Sequence, residues 1–254
     1  MQQVRPFFNT IQGLYPGRQP HFYAADDVPE VALLEVHAET IKRELQHNLA
    51  TRPQACFRKR TLEWQKGWRQ IELRIYGVDY PDKLKLFPET MDILGQIEGV
   101  STIYFSVLSP QTSIALHQGD TDAYYRVHLG LCIPAGLPEC GLEVAGEARA
   151  WKNGKCMVFN DIYSHSAWNN TDCERVVLIV DILRPEFRQQ QVGVDARTRA
   201  TLYHARLYQY LFPLIELLPR VLVRLIWPTL CFFSVNWHRG RVWLNARREG
   251  SERD

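Results

Sequence analysis

The chain is 254 residues long, with 30 Lys and Arg against 28 Asp and Glu and a formal net charge of +2. So small an excess gives no global pull toward nucleic acid, and a 46% share of hydrophobic residues suffices for a packed core and excludes a disordered chain. The six cysteines (Cys56, Cys132, Cys140, Cys156, Cys173 and Cys231) show no CxxC pair, and "MQQVRPFFNT" has no apolar leader; together these speak against a zinc knuckle and for a reducing, cytoplasmic setting.

Residues 1–30 are rich in proline, glycine and aromatics and read as an extended arm. Val31, Leu34, Ala38, Ile41 and Leu45 then recur at helical spacing, so 29–49 is expected to form one amphipathic helix packed on the body. Residues 50–60 are basic and irregular. From Thr61 the texture changes: "QIELRIYG" alternates as a strand does, and Gly77 closes it. Pro88 stands near the start of a short helix in "FPETMDILGQI". Strand-like runs follow at about 102–108, 112–116, 124–133, 141–145, 147–151, 155–160 and 174–183. Cys132 and Cys156 lie within such runs and are expected to be small buried hydrophobes. Asn153-Gly154 favours a two-residue hairpin turn with positive φ at both positions. Many short strands separated by turns indicate a sandwich or barrel. After Pro185 the alternation stops, and 195–215 and 217–227 read as helices interrupted by Pro213, Pro219 and Pro228. Three segments result: an N-terminal arm and helix (1–60), a β domain (61–187) and a helical, apolar extension (188–254).

The stretch "SVLSPQTSIALHQGDTDAYYRVHLGL", Ser106 to Leu131, carries the first chemistry. In a strand Arg126 and His128 share one face while Val127, Leu129 and Leu131 take the other. That polar face either meets solvent or lines a cavity. A second pairing follows: His165 in a loop after the strand ending at Asn160, and Arg175 at the head of an apolar strand whose Val177, Ile179 and Asp181 share its face. Two His–Arg pairings in one β domain favour a site. Imidazole binds iron, zinc, copper or nickel, and open iron sites commonly take two histidines and one carboxylate. A dicarboxylate cosubstrate would need guanidinium partners. The place for a carboxylate two residues after His117 is held by Gly119, with Asp120 one step further. Asp120 and Asp122 read as solvated loop carboxylates, and Tyr124 and Tyr125 as packing.

These residues resemble the aspartyl/asparaginyl β-hydroxylase domain family of 2-oxoglutarate-dependent oxygenases. The matching pattern is Ser106, His117-x-Gly119, Arg126-x-His128-Leu-Gly-Leu with Ile-Pro following, a Trp151–Gly154–Lys155 hairpin, Asp161-x3-His165 and the downstream Arg175, over about residues 60–187. The resemblance implies a mainly β fold with flanking helices and a double-stranded β-helix core, of jelly-roll or cupin type. It implies that His117 and His165 ligate Fe(II). Gly119 stands where most of the wider superfamily has a carboxylate ligand, and this branch manages with two histidines. Arg126 and His128 would hold the end of 2-oxoglutarate nearer the iron, and Ser106 and Arg175 its far carboxylate. Asp161 would be an acceptor behind the metal that orients bound water or a ligand imidazole; a substituting role for Asp120 stays open. The implied reaction uses O2 and 2-oxoglutarate to hydroxylate an unactivated C–H.

The family's name suggests the β-carbon of an Asp or Asn unit in a peptide or amino acid; an acyl chain, as in lipid A-type hydroxylases, is the alternative. The opposing class is a non-catalytic β-barrel that binds a metal or small acid. The tail bears on this choice. Residues 206–237 are very apolar but broken by Glu216, Arg220, Arg224 and three prolines, so no simple membrane span is expected. They would cover the barrel, lie in a membrane interface, or form a face for self-association.

Overall fold

The computed structural model describes residues 5–53 and 67–202, with a few positions between 232 and 244. The expected helices beyond residue 202, most of the apolar stretch 206–237 and most of the basic segment 50–60 lie outside the described residues. Among the described residues no helix is long and apolar enough to cross a membrane.

Among the described residues, helices α1 (Asn9–Gln12), α2 (Glu30–Val36), α3 (Ala38–Thr51), α4 (Pro81–Leu84) and α5 (Pro88–Leu94) accompany eleven strands. The strands are β1 (Phe22–Tyr23), β2 (Trp68–Ile75), β3 (Val78–Asp79), β4 (Val100–Leu108), β5 (Thr112–His117) and β6 (Tyr124–Cys132). They continue as β7 (Cys140–Val144), β8 (Glu147–Arg149), β9 (Cys156–Phe159), β10 (His165–Asn169) and β11 (Arg175–Leu183). They form a seven-stranded sheet, β1-β9-β6-β11-β4-β2-β3, and a four-stranded sheet, β5-β10-β7-β8. From β4 onward the chain crosses between the sheets, with only the β7–β8 pair staying in one, and neighbouring strands among β4–β11 pair antiparallel. This is the double-stranded β-helix, mainly β with helices on one side.

Strand alternation sorts the large sheet into two faces. Ile103, Phe105, Val107, Val127, Leu129, Leu178 and Val180 turn outward and pack with Val31, Leu34, Ala38, Ile41 and Leu45 of the helices. The opposite parity, Leu108, Phe159, Val177 and Ile179, meets Ile114, Leu142, Val144 and Ala167 of the small sheet. The helical stripe read from the sequence is thus buried, but in two helices. The backbone leaves helical dihedrals at His37 (φ −97°, ψ 9°), and α2 ends there. Pro88 occupies the first turn of α5 as expected. Glu44 of α3 caps that helix, accepting from the Glu89 and Thr90 backbone N–H groups at 2.8 and 2.9 Å and from Thr90 Oγ1 at 2.6 Å.

Four local expectations are corrected. Asn153-Gly154 is not a hairpin turn, because β8 pairs with β7 and β9 with β6, so 150–155 passes from one sheet to the other. Only Gly154 of the pair has positive φ; Asn153 instead accepts from the Ile133 N–H at 2.8 Å. The tight turn is Ala145-Gly146, both at positive φ, between β7 and β8. His165 opens strand β10 and does not lie in a loop. Cys132 is exposed and Cys156 half-buried, because β6 runs out into solvent at its end and β9 begins under α2. Asp122 is buried, its Oδ1 accepting from the Phe7 N–H at 2.8 Å.

By compactness the chain divides into one unit of residues 1–75 and 79–188 and another of 76–78 and 189–254. The arm, the helices and both sheets' site-bearing strands belong to the first.

Candidate active site

The polar face of β6 turns inward, between the sheets. Arg126, His128 and Gly130 share parity with Phe159 and Met157 of β9 and with Ile179 and Asp181 of β11. That face is therefore interior and is not a solvent-facing side.

His117 and His165 are direct register partners on β5 and β10. Their ring centroids are 4.1 Å apart, a spacing that lets two imidazoles share one ion at metal–nitrogen distances of about 2 Å. A β-bulge makes this possible. His165 pairs with His117, but Ala167 pairs with Ile114, so three residues of β5 span two of β10. The extra residue brings His117 to the inward side with Ile114. His117 Nδ1 lies 2.8 Å from the Ala115 carbonyl and His165 Nδ1 2.8 Å from the Tyr163 carbonyl. A carbonyl only accepts, so each Nδ1 carries the proton and each Nε2 keeps a lone pair. Burial lowers the pKa of both, that of His165 to about 3; the His117 imidazole adds to the effect on His165, and the Arg126 charge to that on His117. Both are thus neutral near pH 7, as metal ligation requires. His165 is 3% exposed, whereas His117 lies at the rim.

Arg126 is held by acids. Its Nε and Nη2 donate to Asp181 Oδ1 and Oδ2 at 2.7 and 2.8 Å, a bidentate pair. Its Nη1 lies 2.6 Å from Asp161 Oδ2. Burial opposes the charge on Arg126, but Asp161 and Asp181 outweigh it and raise its pKa. Burial lifts the Asp161 carboxyl to about 6 against the pull of Arg126. Asp161 also fills the space beside Gly119. A Cβ at 119 would fall 2.6 Å from Asp161 Cγ, and the Gly119 N–H donates to the Asp161 carbonyl at 2.6 Å. A carboxylate from position 161 therefore stands beside the glycine at 119. Asp120 lies on the same loop, its carbonyl accepting from Asn9.

Deeper in, Arg175 is 1% exposed. Its Nη1 donates to Ser106 Oγ and the Ser106 carbonyl at 3.2 and 3.3 Å, and its guanidinium lies 4.8 Å over the Trp151 ring. Burial lowers its pKa to about 10. Trp68 Nε1 also donates to Ser106 Oγ, at 3.0 Å. Trp151 Nε1 donates to His128 Nδ1 at 3.3 Å, so the His128 proton sits on Nε2. Burial, then Arg126 and Arg175, hold the His128 pKa well below its usual value. His128 Nε2 and Arg175 Nε are both buried without a partner. Two orphaned donors, both beside Trp151, fit an acid with two carboxylates.

The structure thus brings His165, Asp161, Arg126, His128, Ser106 and Arg175 into one interior, with His117 at its exposed rim. Sequence reasoning assigned no role to Asp181, Trp68 or Tyr104. Asp181 had a signal, a lone acid within the apolar run "RVVLIVDIL" on the parity of Arg175. Tyr104, its phenol pKa pushed up to about 12 by burial, shares the inward parity of Ser106. Among the described residues no group of three or more His, Cys, Asp or Glu stands ready to hold a metal; the residues that could hold one are the imidazole pair, His117 and His165.

Residues 35–185 match the family model described as aspartyl/asparaginyl beta-hydroxylase. An ornithine lipid ester-linked acyl 2-hydroxylase from Rhizobium tropici is 31% identical over 172 residues, 65% of this chain and 61% of that protein. The aspartyl/asparaginyl beta-hydroxylase of Mus musculus is 32% identical over 133 residues, 50% of this chain and 18% of that protein. Human aspartate beta-hydroxylase domain-containing protein 2 is 35% identical over 127 residues, 46% of this chain and 34% of that protein. The chain thus spans less than two thirds of the length of these curated relatives. Among solved structures, a 2OG-Fe(II) oxygenase family oxidoreductase from Burkholderia pseudomallei covers 59% of this chain and 91% of its own, at 12% identity and a TM-score of 0.37.

Proposed function

The chain belongs to the aspartyl/asparaginyl β-hydroxylase family, and from that premise we propose that it is an Fe(II)- and 2-oxoglutarate-dependent dioxygenase that hydroxylates an unactivated C–H bond. The observation that carries this reading is the pairing, inside one barrel, of two imidazoles with free Nε2 lone pairs and two buried, partnerless donors, His128 Nε2 and Arg175 Nε. Charge agrees. Arg126 and Arg175 balance Asp161 and Asp181, so a dication and a dianion enter together without leaving a net buried charge. When bound, ferrous iron and 2-oxoglutarate supply the activation of O2, with decarboxylation of the cosubstrate to succinate.

The residues divide the work. His117 and His165 hold the metal, their tautomers set by the Ala115 and Tyr163 carbonyls. His128 offers its Nε2–H to the carboxylate end nearer the iron, with Arg126 beside it. Arg175 and Ser106 take the far carboxylate, and Trp151 walls it from water. Asp161, held by Arg126 beside Gly119, would orient water at the metal.

The family's name supports the β-carbon of an Asp- or Asn-type unit as the substrate position. A second reading, an acyl chain, is favoured by the alignment with the rhizobial lipid hydroxylase. It runs over 172 residues, against 133 for the murine β-hydroxylase. Under that reading the apolar sequence 206–237 serves contact with a lipid surface. The test is succinate release by the full chain with Fe(II), 2-oxoglutarate and O2, and mass spectrometry for gain of one oxygen on candidate peptides, amino acids and lipid extracts. A chain that binds metal and 2-oxoglutarate but releases no succinate with any of them is a binding barrel, and the enzymatic reading fails.

A further inference from the structure

The N-terminal arm lies outside the family-matched segment, which begins at residue 35. Yet it is fastened to the loops that follow His117 and precede His165. On the first loop, the Asn9 N–H donates to the Asp120 carbonyl at 2.7 Å and Asn9 Nδ2 to the Gly119 carbonyl at 3.1 Å. Phe8 bridges to Thr121, and the Phe7 N–H donates to Asp122. On the second loop, Tyr163 Oη donates to the Gln19 carbonyl at 2.5 Å and the Asn160 N–H to the His21 carbonyl at 3.0 Å. The rings of Phe7, Tyr15 and Tyr163 run edge to face between the two loops at 5.3 and 5.4 Å.

We infer that the arm is part of the framework of the metal centre and that Asn9 is the positioning residue through which it acts. The route is short. Asn9 holds the Gly119 carbonyl, the Gly119 N–H holds the Asp161 carbonyl, and Gly119 is two residues from His117. Gly119 packs so closely on the Asp161 carboxyl that a slack loop would disturb the seat of that acid and, two residues away, the placement of His117. The Asn9 amide serves this contact at its own expense, since its Oδ1 is buried without a partner. A group placed only to begin α1 would have no reason to leave that acceptor stranded. The inference rests on the metal reading of His117 and His165.

The test is Co(II) binding to the full chain without oxygen, followed by the visible spectrum of the bound ion, for wild type, Asn9→Asp and Asn9→Ala. Asn9→Asp is the deciding variant. It keeps the size and suits a helix start, but the ionised side chain cannot donate to Gly119. We expect both variants to melt as folded proteins, to bind Co(II) at least about tenfold more weakly, as loss of an outer-shell partner does, and to show an altered spectrum. An Asn9→Asp protein with wild-type affinity and spectrum would reduce Asn9 to a helix-start residue and overturn the inference. Wild-type chain that takes no Co(II) would sink the metal reading and this one with it.

Discussion

At the scale of single residues the site is a problem of uncompensated polar groups. Arg175 is almost wholly buried, with one nitrogen on Ser106 and another without a partner. A buried cation in that state waits for an anion. Replacing Arg175 with Ala should raise the 2-oxoglutarate KM by about a hundredfold or more, since a charged hydrogen bond in a buried site contributes about 3 kcal/mol. Metal affinity should change little. Arg175→Lys should recover only part of the loss, because a point charge cannot match a fork; an unchanged KM in Arg175→Ala would remove its assigned role. His165 allows a second prediction. Its folded-state pKa is depressed to about 3 against an ordinary 6.5. As pH falls, the unfolded chain takes the proton first, so the stability tied to this group is present above about pH 6.5 and is lost progressively toward pH 3. The metal-free His165→Gln protein should therefore lose less stability on acidification than wild type, read from urea midpoints between pH 7 and 4. It should also fail to bind metal.

Elements decide where those residues point. Strict alternation along "TSIALH" would turn His117 away from Ile114. The bulge against β10 reverses this, and nothing in the local residue pattern marks it. Its cause is non-local, the register that β10 imposes while also pairing with β7. β6 and β11 are the opposite case. Their inner-face residues, Arg126 and His128 on one and Arg175, Val177, Ile179 and Asp181 on the other, followed parity from the sequence because both strands run nine residues and pair at length. The support beneath them is testable at the same scale. Glu44 satisfies three donors at the start of α5. Glu44→Ala should lower unfolding free energy by about 2–3 kcal/mol, measured by urea titration, and leave Co(II) affinity unchanged. A loss below about 0.5 kcal/mol would show that the cap carries little.

For the whole molecule the two sheets matter as the walls of one cavity. Since ligands that bind only the folded state stabilise it, Co(II) with 2-oxoglutarate at about a hundred times their dissociation constants should each add about 2.7 kcal/mol. That corresponds to a rise in Tm of about 5–10 °C per ligand for a domain of this size. 2-Oxoglutarate without metal should give a much smaller rise, because only Arg175, Ser106 and His128 then hold it. Equal shifts with and without metal, read by calorimetry, would separate the acid site from the imidazoles.

Much of this was present in the order of residues. Strand parity and the helical stripe of Val31, Leu34, Ala38, Ile41 and Leu45 depend on neighbours a few residues apart, and short-range sterics and burial dictate them; the pattern from Ser106 to Arg175 was legible through its resemblance to a family. The tertiary structure alone decided the contacts between distant segments: the bulge that turns His117 inward, the Asp161 carboxylate set into the gap at Gly119, Asp181 locked on Arg126, and the arm tied to both ligand loops. Such contacts depend on how sheets close over one another, and no residue's own preference encodes which stranger it will meet across that closure.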